Sequence, residues 1–187
     1  MTQRRGDWMQ TFTGRAFWPC DPRVDEVCIE DIAHALSMLC RFAGQTRSFY
    51  SVAEHCVRAS RIVSPAYALA ALLHDAAEAY VVDLPRPLKR QPGLRAYREI
   101  ERRVQMIVYD AFGVKLGTTV ALGAKAIRTA DEVMLATEAR DLMGGERADA
   151  WALTAEPLVA RIIPWNHKTA ERRYLRRFRD LVGKVIP

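Results

Sequence analysis

The stretch from Tyr67 to Leu73 contains no polar side-chain group except the Tyr67 hydroxyl, and His74 and Asp75 follow it directly. A helix that is apolar on all sides is buried, so these residues predict a helix at the centre of the protein. A carboxylate in such a position is normally paired or bound to a metal, because burying it without a partner is strongly unfavourable. The rest of the chain must therefore cover this helix and also supply partners for the His-Asp pair.

Apolar residues recur at helical spacing through most of the chain, which predicts an all-α fold, a compact bundle of about six or more helices. Ser51 is a suitable N-cap, with Glu54 three residues later to complete a capping box. Pro65 fits the first turn of the helix that continues to about Tyr80. The predicted helices cover residues 29–42, 52–63, 64–80, 94–112, 119–143 and 168–182.

The remaining segments lack this helical periodicity. Residues 81–92 contain three prolines and are predicted to form a loop. Residues 8–27 and 150–166 are predicted to be irregular, with a short hairpin among them. Gly113 and Gly144 are the expected ends of the two long helices, since glycine readily adopts the left-handed conformation found there.

The composition suits one domain that spans residues 1–187, because half of the residues are hydrophobic. No apolar run reaches the length needed to span a bilayer, and the N-terminal residues lack the apolar stretch of a signal peptide. We therefore expect a cytoplasmic protein with no membrane partner. The four cysteines form no Cys-x-x-Cys pair and are expected to be reduced, mostly buried thiols.

The formal net charge is +6, and much of the excess lies near the C-terminus. A basic protein attracts anions such as nucleotides, nucleic acid or acidic lipid, although a solvated helix face is the simpler interpretation of this cluster. No RNA-binding aromatic signature and no zinc-finger spacing accompany it, so nucleic acid is not the expected partner. The cluster consists of Arg172, Arg173, Arg176, Arg177, Arg179 and Lys184.

Two further polar residues interrupt apolar stripes: His55 on the second predicted helix and Asp131 on the fifth. Taken alone, each could be an ordinary residue, a hydrogen-bonded core histidine or an aspartate paired with Arg128. Together with His74 and Asp75 they give two His and two Asp, a ligand set that suits one divalent ion such as Mn, Co, Zn, Fe or Mg. Four protein ligands leave about two octahedral positions for water and a substrate oxygen, as a catalytic site requires.

These residues resemble the HD-domain superfamily of metal-dependent phosphohydrolases, which has a His on one helix, His-Asp on the next and an Asp on a later helix. The matching segments are Ala53-Glu54-His55-Cys56, Leu72-Leu73-His74-Asp75 and Thr129-Ala130-Asp131-Glu132. The similarity is greatest to the 5′-deoxynucleotidase branch, whose signature resembles His74-Asp75-Ala76-Ala77-Glu78 and Asp83-Leu84-Pro85-Arg86-Pro87-Leu88-Lys89. Small phage-type deoxynucleoside triphosphate hydrolases share this subfold. The resemblance covers about residues 28–142.

The resemblance also implies roles for the polar residues. Glu78 would orient or deprotonate the attacking water, or protonate the leaving oxygen, and Asp83 would lie nearby in the same polar cluster. Helical spacing would place Glu78 one turn beyond the His-Asp pair on the same face. The implied metal ligands are His55, His74, Asp75 and Asp131.

Substrate contacts are implied for three further residues. Arg41 and Phe42 occupy the place of an Arg-aromatic pair that contacts phosphate and sugar, although the aromatic residue of that branch is Trp. Lys89 is a second candidate for the phosphate. The alternatives are that Phe42 is a core residue closing a helix end and that Lys89 is a solvated loop residue. His34 lies outside the motif and is expected to have a packing or hydrogen-bonding role.

The implied activity is hydrolysis of a (deoxy)nucleoside 5′-monophosphate, as in a 5′-nucleotidase, by a homo-oligomer of two or more chains. An alternative within the same class is a triphosphohydrolase that acts on deoxynucleoside triphosphates and releases tripolyphosphate. An alternative from another class is a non-catalytic module that binds a nucleotide or a nucleic acid, which the basic C-terminal segment motivates.

Overall fold

The computed structural model of the protein describes residues 4–114, 120–143 and 151–183. In these ranges the chain forms eight α-helical segments joined by short 3₁₀ turns, so the all-α prediction is confirmed. A short hairpin pairs β1 (Met9–Gln10) with β2 (Ala16–Phe17). The helices are α1 (Ile29–Met38), α2 (Val52–Ile62), α3 (Ala68–Leu72), α4 (Glu78–Val81), α5 (Arg86–Lys89), α6 (Arg95–Ala111), α7 (Val120–Leu142) and α8 (His167–Val182). Of the described helices, none combines the length and the apolar character that crossing a membrane requires.

The main core lies where α8 packs against α1, α2 and α3. Tyr174 on α8 is fully buried, and its hydroxyl donates a hydrogen bond to the Leu72 carbonyl over 3.0 Å. The apolar helix α3 is therefore covered, as its sequence requires, and one of the covering elements lies outside residues 28–142. A second, smaller cluster between α2 and α7 contains Tyr50, Ala59, Met134, Leu142 and Ile162.

The predicted hairpin is present, and it anchors the N-terminal segment to the bundle. Phe17 is fully buried and its ring stacks on Tyr80 at a centroid distance of 3.8 Å. The backbone amide and hydroxyl of Thr13 both donate to the Asp31 carboxylate, over 2.7 and 3.0 Å. His34 lies on α1 with Phe12 stacked on its ring, which agrees with a packing role.

The first helix ends earlier than the sequence predicts. α1 ends at Met38, not at residue 42, because Cys40 is extended and forms an isolated bridge with Ser51. The Arg41 amide then donates to the Tyr50 carbonyl over 2.9 Å. Phe42 follows with a φ of 55°, in the left-handed region that a bulky residue rarely occupies. Arg41 and Phe42 therefore lie on a constrained turn instead of on a helix end.

Three other local predictions need correction. The helix predicted for residues 64–80 is interrupted between α3 and α4. The loop predicted for residues 81–92 contains the short helix α5, which accommodates Pro87 in its first turn. Ser51 does cap α2, since its hydroxyl accepts from the Glu54 amide over 3.1 Å. The Glu54 carboxylate completes no capping box, because Arg58 and the Trp165 amide donate to it instead. The Gly144 helix end lies outside the described residues.

Residues 158–162 pack on the end of α7 and are fixed to it by Arg140 and Asp141. The Asp141 carboxylate accepts hydrogen bonds from the Ile162 amide over 2.8 Å and from the guanidinium groups of Arg140 and Arg161. The hydrogen bond from Arg140 is the largest cause that lowers the pKa of Asp141, which falls to about 2. Described residues 151–166 otherwise contain no strand, as predicted for that segment.

The substitution Asp141→Asn is expected to lower the free energy of unfolding by about 1–2 kcal/mol at neutral pH. Because folding lowers the pKa of Asp141, its contribution is present above the unfolded pKa and is lost as the pH falls from about 4 to 2. Urea unfolding of both proteins across this range measures the difference, with Asp110→Asn on exposed α6 surface as the control. A difference that stays constant over the whole range would contradict the assignment.

Candidate metal centre

Four side chains from three segments converge at one point inside the bundle. His55 comes from α2, His74 and Asp75 from the turn between α3 and α4, and Asp131 from α7. His55 Nε2 lies 3.3 Å from both His74 Nε2 and Asp131 Oδ1, and 3.7 Å from Asp75 Oδ2. His74 Nε2 lies 3.3 Å from Asp75 Oδ2. The structure thus brings together the four residues selected from the sequence, and His55, His74 and Asp131 form one group that could hold a metal ion.

Each of the two histidine rings is held through its other nitrogen. His74 Nδ1 lies 2.8 Å from the Ala71 carbonyl oxygen, to which it donates, so its Nε2 carries the free lone pair. His55 Nδ1 lies 2.7 Å from Glu138 Oε1. Metal-binding histidines almost always have such a partner on the second nitrogen, because it fixes the ring orientation. The arrangement therefore fits a metal ion bound by Nε2 of His55 and Nε2 of His74.

His74 and Asp75 lie in a break of the central helix, which corrects the prediction that they lie within it. Gln105 on α6 bridges the break: its Nε2 donates to the Leu73 carbonyl over 2.7 Å, and its Oε1 accepts from the Ala77 amide over 3.1 Å. The Ala77 amide has lost its helical partner and would otherwise be unsatisfied, while the Leu73 carbonyl also accepts from the Ala76 amide over 3.0 Å. One side chain from a distant helix thus stabilises the turn that presents the His-Asp pair.

Glu138 is a site residue that the sequence interpretation missed. It is fully buried on α7, seven residues after Asp131 and therefore on the same face of the helix. Besides His55, its carboxylate accepts from Arg41 Nε over 3.2 Å. The positive charges of Arg41 and His55 outweigh burial and lower the pKa of Glu138. The seven-residue spacing is the signal that could have identified it.

The electrostatic field of the centre favours cations. Burial and the Arg41 charge act to lower the pKa of His55, but Glu138 and Asp131 outweigh them and raise it to about 9. Burial acts to raise the pKa of Asp131, yet the hydrogen bond and charge of His55 leave it well below its ordinary value. Two imidazoles in a carboxylate-rich site are a donor set that divalent metals accept, so the residues present fit such an ion.

Glu78 and Asp83 lie beside this centre. Glu78, the first residue of α4, is buried, and within the described part of the chain its Oε2 has no hydrogen-bond partner. Burial, followed by the charges of Asp75 and Asp83, raises the pKa of Glu78 well above its ordinary value. Burial likewise raises the pKa of Asp83. A buried carboxyl whose pKa is raised in this way is suited to proton transfer.

A cavity of about 360 Å³ opens next to the His-Asp pair, between α6 and the segment from α4 to α5. Lys89 lies on this wall, half-buried and ion-paired with Glu101, so it is not a solvated loop residue. The cavity is large enough for a small ligand. Its lining includes His74, Asp75, Glu78, Lys89, Glu101 and Arg102.

The predicted substrate residues Arg41 and Phe42 do not line this cavity. Arg41 Nη1 lies 3.5 Å from Asp75 Oδ2, so this guanidinium already faces two carboxylates. Phe42 is half-buried against Trp151 and belongs to neither core cluster, so the interpretation as a core residue is wrong. Whether either side chain contacts substrate stays a prediction.

The remaining alternatives for the site residues are resolved by contacts. Arg128 is exposed, and Asp131 faces His55 and Arg86 instead, with Arg86 Nη2 3.5 Å from Asp131 Oδ2.

Cys56 forms a second possible metal-binding group with the His-Asp pair. Burial raises the pKa of the Cys56 thiol well above its ordinary value, which disfavours the thiolate that metals bind. All four cysteines are free thiols, two of them buried.

The chain is similar to two bacterial proteins whose names assign no activity. The Escherichia coli (strain K12) protein named Uncharacterized protein YfdR is 37% identical over 177 residues, which cover 93% of this chain and 95% of that protein. An uncharacterized protein of Rhodobacter capsulatus is 34% identical over 159 residues, 80% of each chain. No protein-family model matches the chain.

The substitution Glu138→Gln is expected to weaken divalent-metal binding about 10–100-fold, as loss of an outer partner of a ligating histidine typically does. The amide keeps the size of the side chain but removes the charge that orients His55 and Arg41. Competition with a chromophoric chelator measures the affinity. Glu132→Gln, an exposed carboxylate on the same helix, is the matched control; equal affinities of the two variants would refute the assigned role of Glu138.

Proposed function

The chain belongs to the same family as the Escherichia coli protein YfdR, and we propose that it is a metal-dependent phosphohydrolase that removes the phosphate group from (deoxy)nucleoside 5′-monophosphates. The observation that carries this proposal is the convergence of His55, His74, Asp75 and Asp131 beside the buried Glu78. The resemblance of these segments to HD-domain phosphohydrolases supports the reaction class. The relatives' names add no activity, so the support comes from this chain's own residues.

The four converging residues would hold the metal, which we propose is one divalent ion of Mn, Co, Zn, Fe or Mg. Two imidazoles and two carboxylates suit ions of borderline or hard character. When bound, such an ion lowers the pKa of a water molecule and polarises a phosphoryl oxygen. The protein would contribute fixed ligand positions, because Ala71 and Glu138 hold the two rings from behind.

Proton transfer is assigned to Glu78. Burial and the neighbouring carboxylates raise its pKa, so it keeps its proton at a higher pH than an ordinary glutamate. A protonated Glu78 can donate to the oxygen of the leaving nucleoside, which would otherwise depart as an unstable alkoxide. Asp83, whose pKa is also raised, stays in this cluster as the second carboxyl group.

Cationic side chains would offset the charge of the substrate phosphate. Among the described residues, Nε and Nη1 of Arg41 face Glu138 and Asp75, which leaves Nη2 for a further acceptor. Arg86 is freer: its side chain is 56% exposed, and its guanidinium lies next to Asp131. A guanidinium can bind two phosphate oxygens at once. We therefore add Arg86 to Arg41 and Lys89 as a proposed phosphate contact.

The first test of this function separates metal binding from proton transfer. Asp75→Ala is expected to lose the metal, since it removes a ligand oxygen, whereas Glu78→Gln should keep the metal and lose roughly 10²–10⁴-fold of the rate. Elemental analysis gives the metal content, and release of orthophosphate from nucleoside monophosphates gives the rate. Asp110→Asn should change neither quantity.

Three results would count against the proposal in different ways. If Glu78→Gln also empties the site, Glu78 is a ligand and its assigned role is wrong. Release of tripolyphosphate from deoxynucleoside triphosphates, with no cleavage of monophosphates, would identify the triphosphohydrolase instead. Nucleotide binding without any turnover, in protein loaded with Mn or Co, would identify a non-catalytic module.

A second test concerns the phosphate contact. Arg86→Gln is expected to lower kcat/KM for nucleoside monophosphates by at least about tenfold, the loss typical of a charge-assisted hydrogen bond. The melting temperature should not change, because the side chain is exposed, and metal content is measured in parallel because Arg86 Nη2 lies 3.5 Å from Asp131 Oδ2. Arg90→Gln removes the same charge from an exposed position four residues later and serves as the control. Equal losses in both variants would indicate a general effect of charge.

A further inference from the structure

A second cavity of about 360 Å³ lies between the last turn of α2 and the middle of α8. It shares no lining residue with the cavity at the metal centre. Arg61 and His55 are six residues apart on α2, which corresponds to about 9 Å along a helix. This arginine cavity, as we call it, is lined by Arg61, Arg173, Arg176, Arg177 and Asp180, so its local formal charge is +3.

Two of the arginines are held in place by neutral groups. Arg177 donates from Nε to the Ser60 hydroxyl over 3.0 Å and from Nη2 to the Ser60 carbonyl over 2.8 Å. The Arg173 guanidinium lies over the Trp165 ring, 4.1 Å from its centroid. These contacts fix the side chains without offsetting their charge. The cationic groups are therefore arranged before any ligand binds, which lowers the entropic cost of binding.

The positive charge of the cavity is not neutralised by protein. In the described ranges, none of the four arginines forms a salt bridge with a carboxylate, and Asp180 is the single acidic residue of the lining. Burial, and then the charges of Arg177, Arg173 and Arg58, lower the pKa of Arg61. Like charges held this close repel one another, and a bound anion would remove that repulsion.

We propose that the arginine cavity binds a compact anion that carries one or more phosphate groups, such as orthophosphate or the phosphate chain of a nucleotide. Guanidinium groups match phosphate oxygens in pairs. The helix spacing of Arg173, Arg176 and Arg177 places all three on one face of α8, opposite Arg61. The cavity volume lies within the range of small-ligand sites.

The surroundings favour a compact anion over a nucleic acid. Single-stranded nucleic acid binds by stacking its bases on accessible aromatic rings. Trp165 cannot serve as such a platform, because Arg58 and Arg173 cover its ring at 4.8 and 4.1 Å from the centroid. Four arginines thus face one concavity, while Arg172 and Arg179 lie on α8 outside it.

Calorimetric titration of the full chain with tripolyphosphate tests the proposal, and it does not depend on the proposed function. The protein is first treated with chelator so that no metal contributes to phosphate binding. The double variant Arg61→Gln/Arg176→Gln should bind at least about tenfold more weakly than the wild type. Arg172→Gln/Arg179→Gln removes the same charge from α8 outside the cavity and should retain the wild-type affinity within about twofold.

Further titrations identify the ligand. Similar affinity for orthophosphate supports recognition of a single phosphate group, and much tighter binding of tripolyphosphate supports recognition of a phosphate chain. No binding by the wild type, or equal weakening in both double variants, overturns the proposal. Displacement of tripolyphosphate by a short DNA duplex at physiological ionic strength also overturns it, in favour of a nucleic-acid surface.

A measurement on the wild type covers the case in which the cavity variant fails to fold. Phenylglyoxal modifies accessible arginines, and mass spectrometry locates the modified residues. Tripolyphosphate should slow the modification of Arg61 and Arg176 and leave that of Arg172 and Arg179 unchanged. Uniform protection of all four, or none, contradicts a ligand in this cavity.

Discussion

The buried carboxylate of Glu138 is the group on which the arrangement of the centre depends. It is fully enclosed, and a charge in that position is tolerated only with close partners. Those partners are His55 on α2 and Arg41 on the turn after α1, so one carboxylate on α7 connects three parts of the chain. Arg41 extends the network to Asp75. The need to balance one buried charge thus fixes the orientation of a candidate ligand and the position of a candidate substrate residue.

A second constraint is the interruption of the central helix. A continuous helix would point His74 and Asp75 about 100° apart, whereas the turn directs His74 Nε2 and Asp75 Oδ2 to within 3.3 Å of each other. The turn leaves the Ala77 amide without a helical partner, and Gln105 accepts from this amide while it donates to the Leu73 carbonyl. An amide side chain is suited to this position because it carries both functions. Two side chains that are not ligands therefore hold the site in place: the charged Glu138 and the neutral Gln105.

How much of the fold and of the site could be predicted from the sequence depends on how far apart the interacting residues lie along the chain. Helices α2, α6 and α8 follow from local periodicity, and the Asn166 side chain caps α8 by accepting from the Thr169 amide. The four candidate ligands could be selected because each breaks an apolar pattern that is visible within one helix. The end of α1 could not be predicted from the sequence, because it depends on the pairing of Cys40 with Ser51. Gln105 acts on a turn about thirty residues earlier, and no local pattern signals such a contact.

Helix α2 contributes one residue to each candidate site, His55 to the metal centre and Arg61 to the arginine cavity. The charges near its two ends match the polarity of the helix dipole. Glu54 lies in its first turn and Arg61 in its last, which is the arrangement that the helix dipole favours. At the first half of α2, carboxylates surround His55, so a phosphate would be repelled unless a cation were bound there. At the last turn the arginine cavity attracts the same group without a metal. Removal of divalent ions should therefore weaken phosphate binding at the metal centre and leave binding in the arginine cavity unchanged, and that difference distinguishes the two sites.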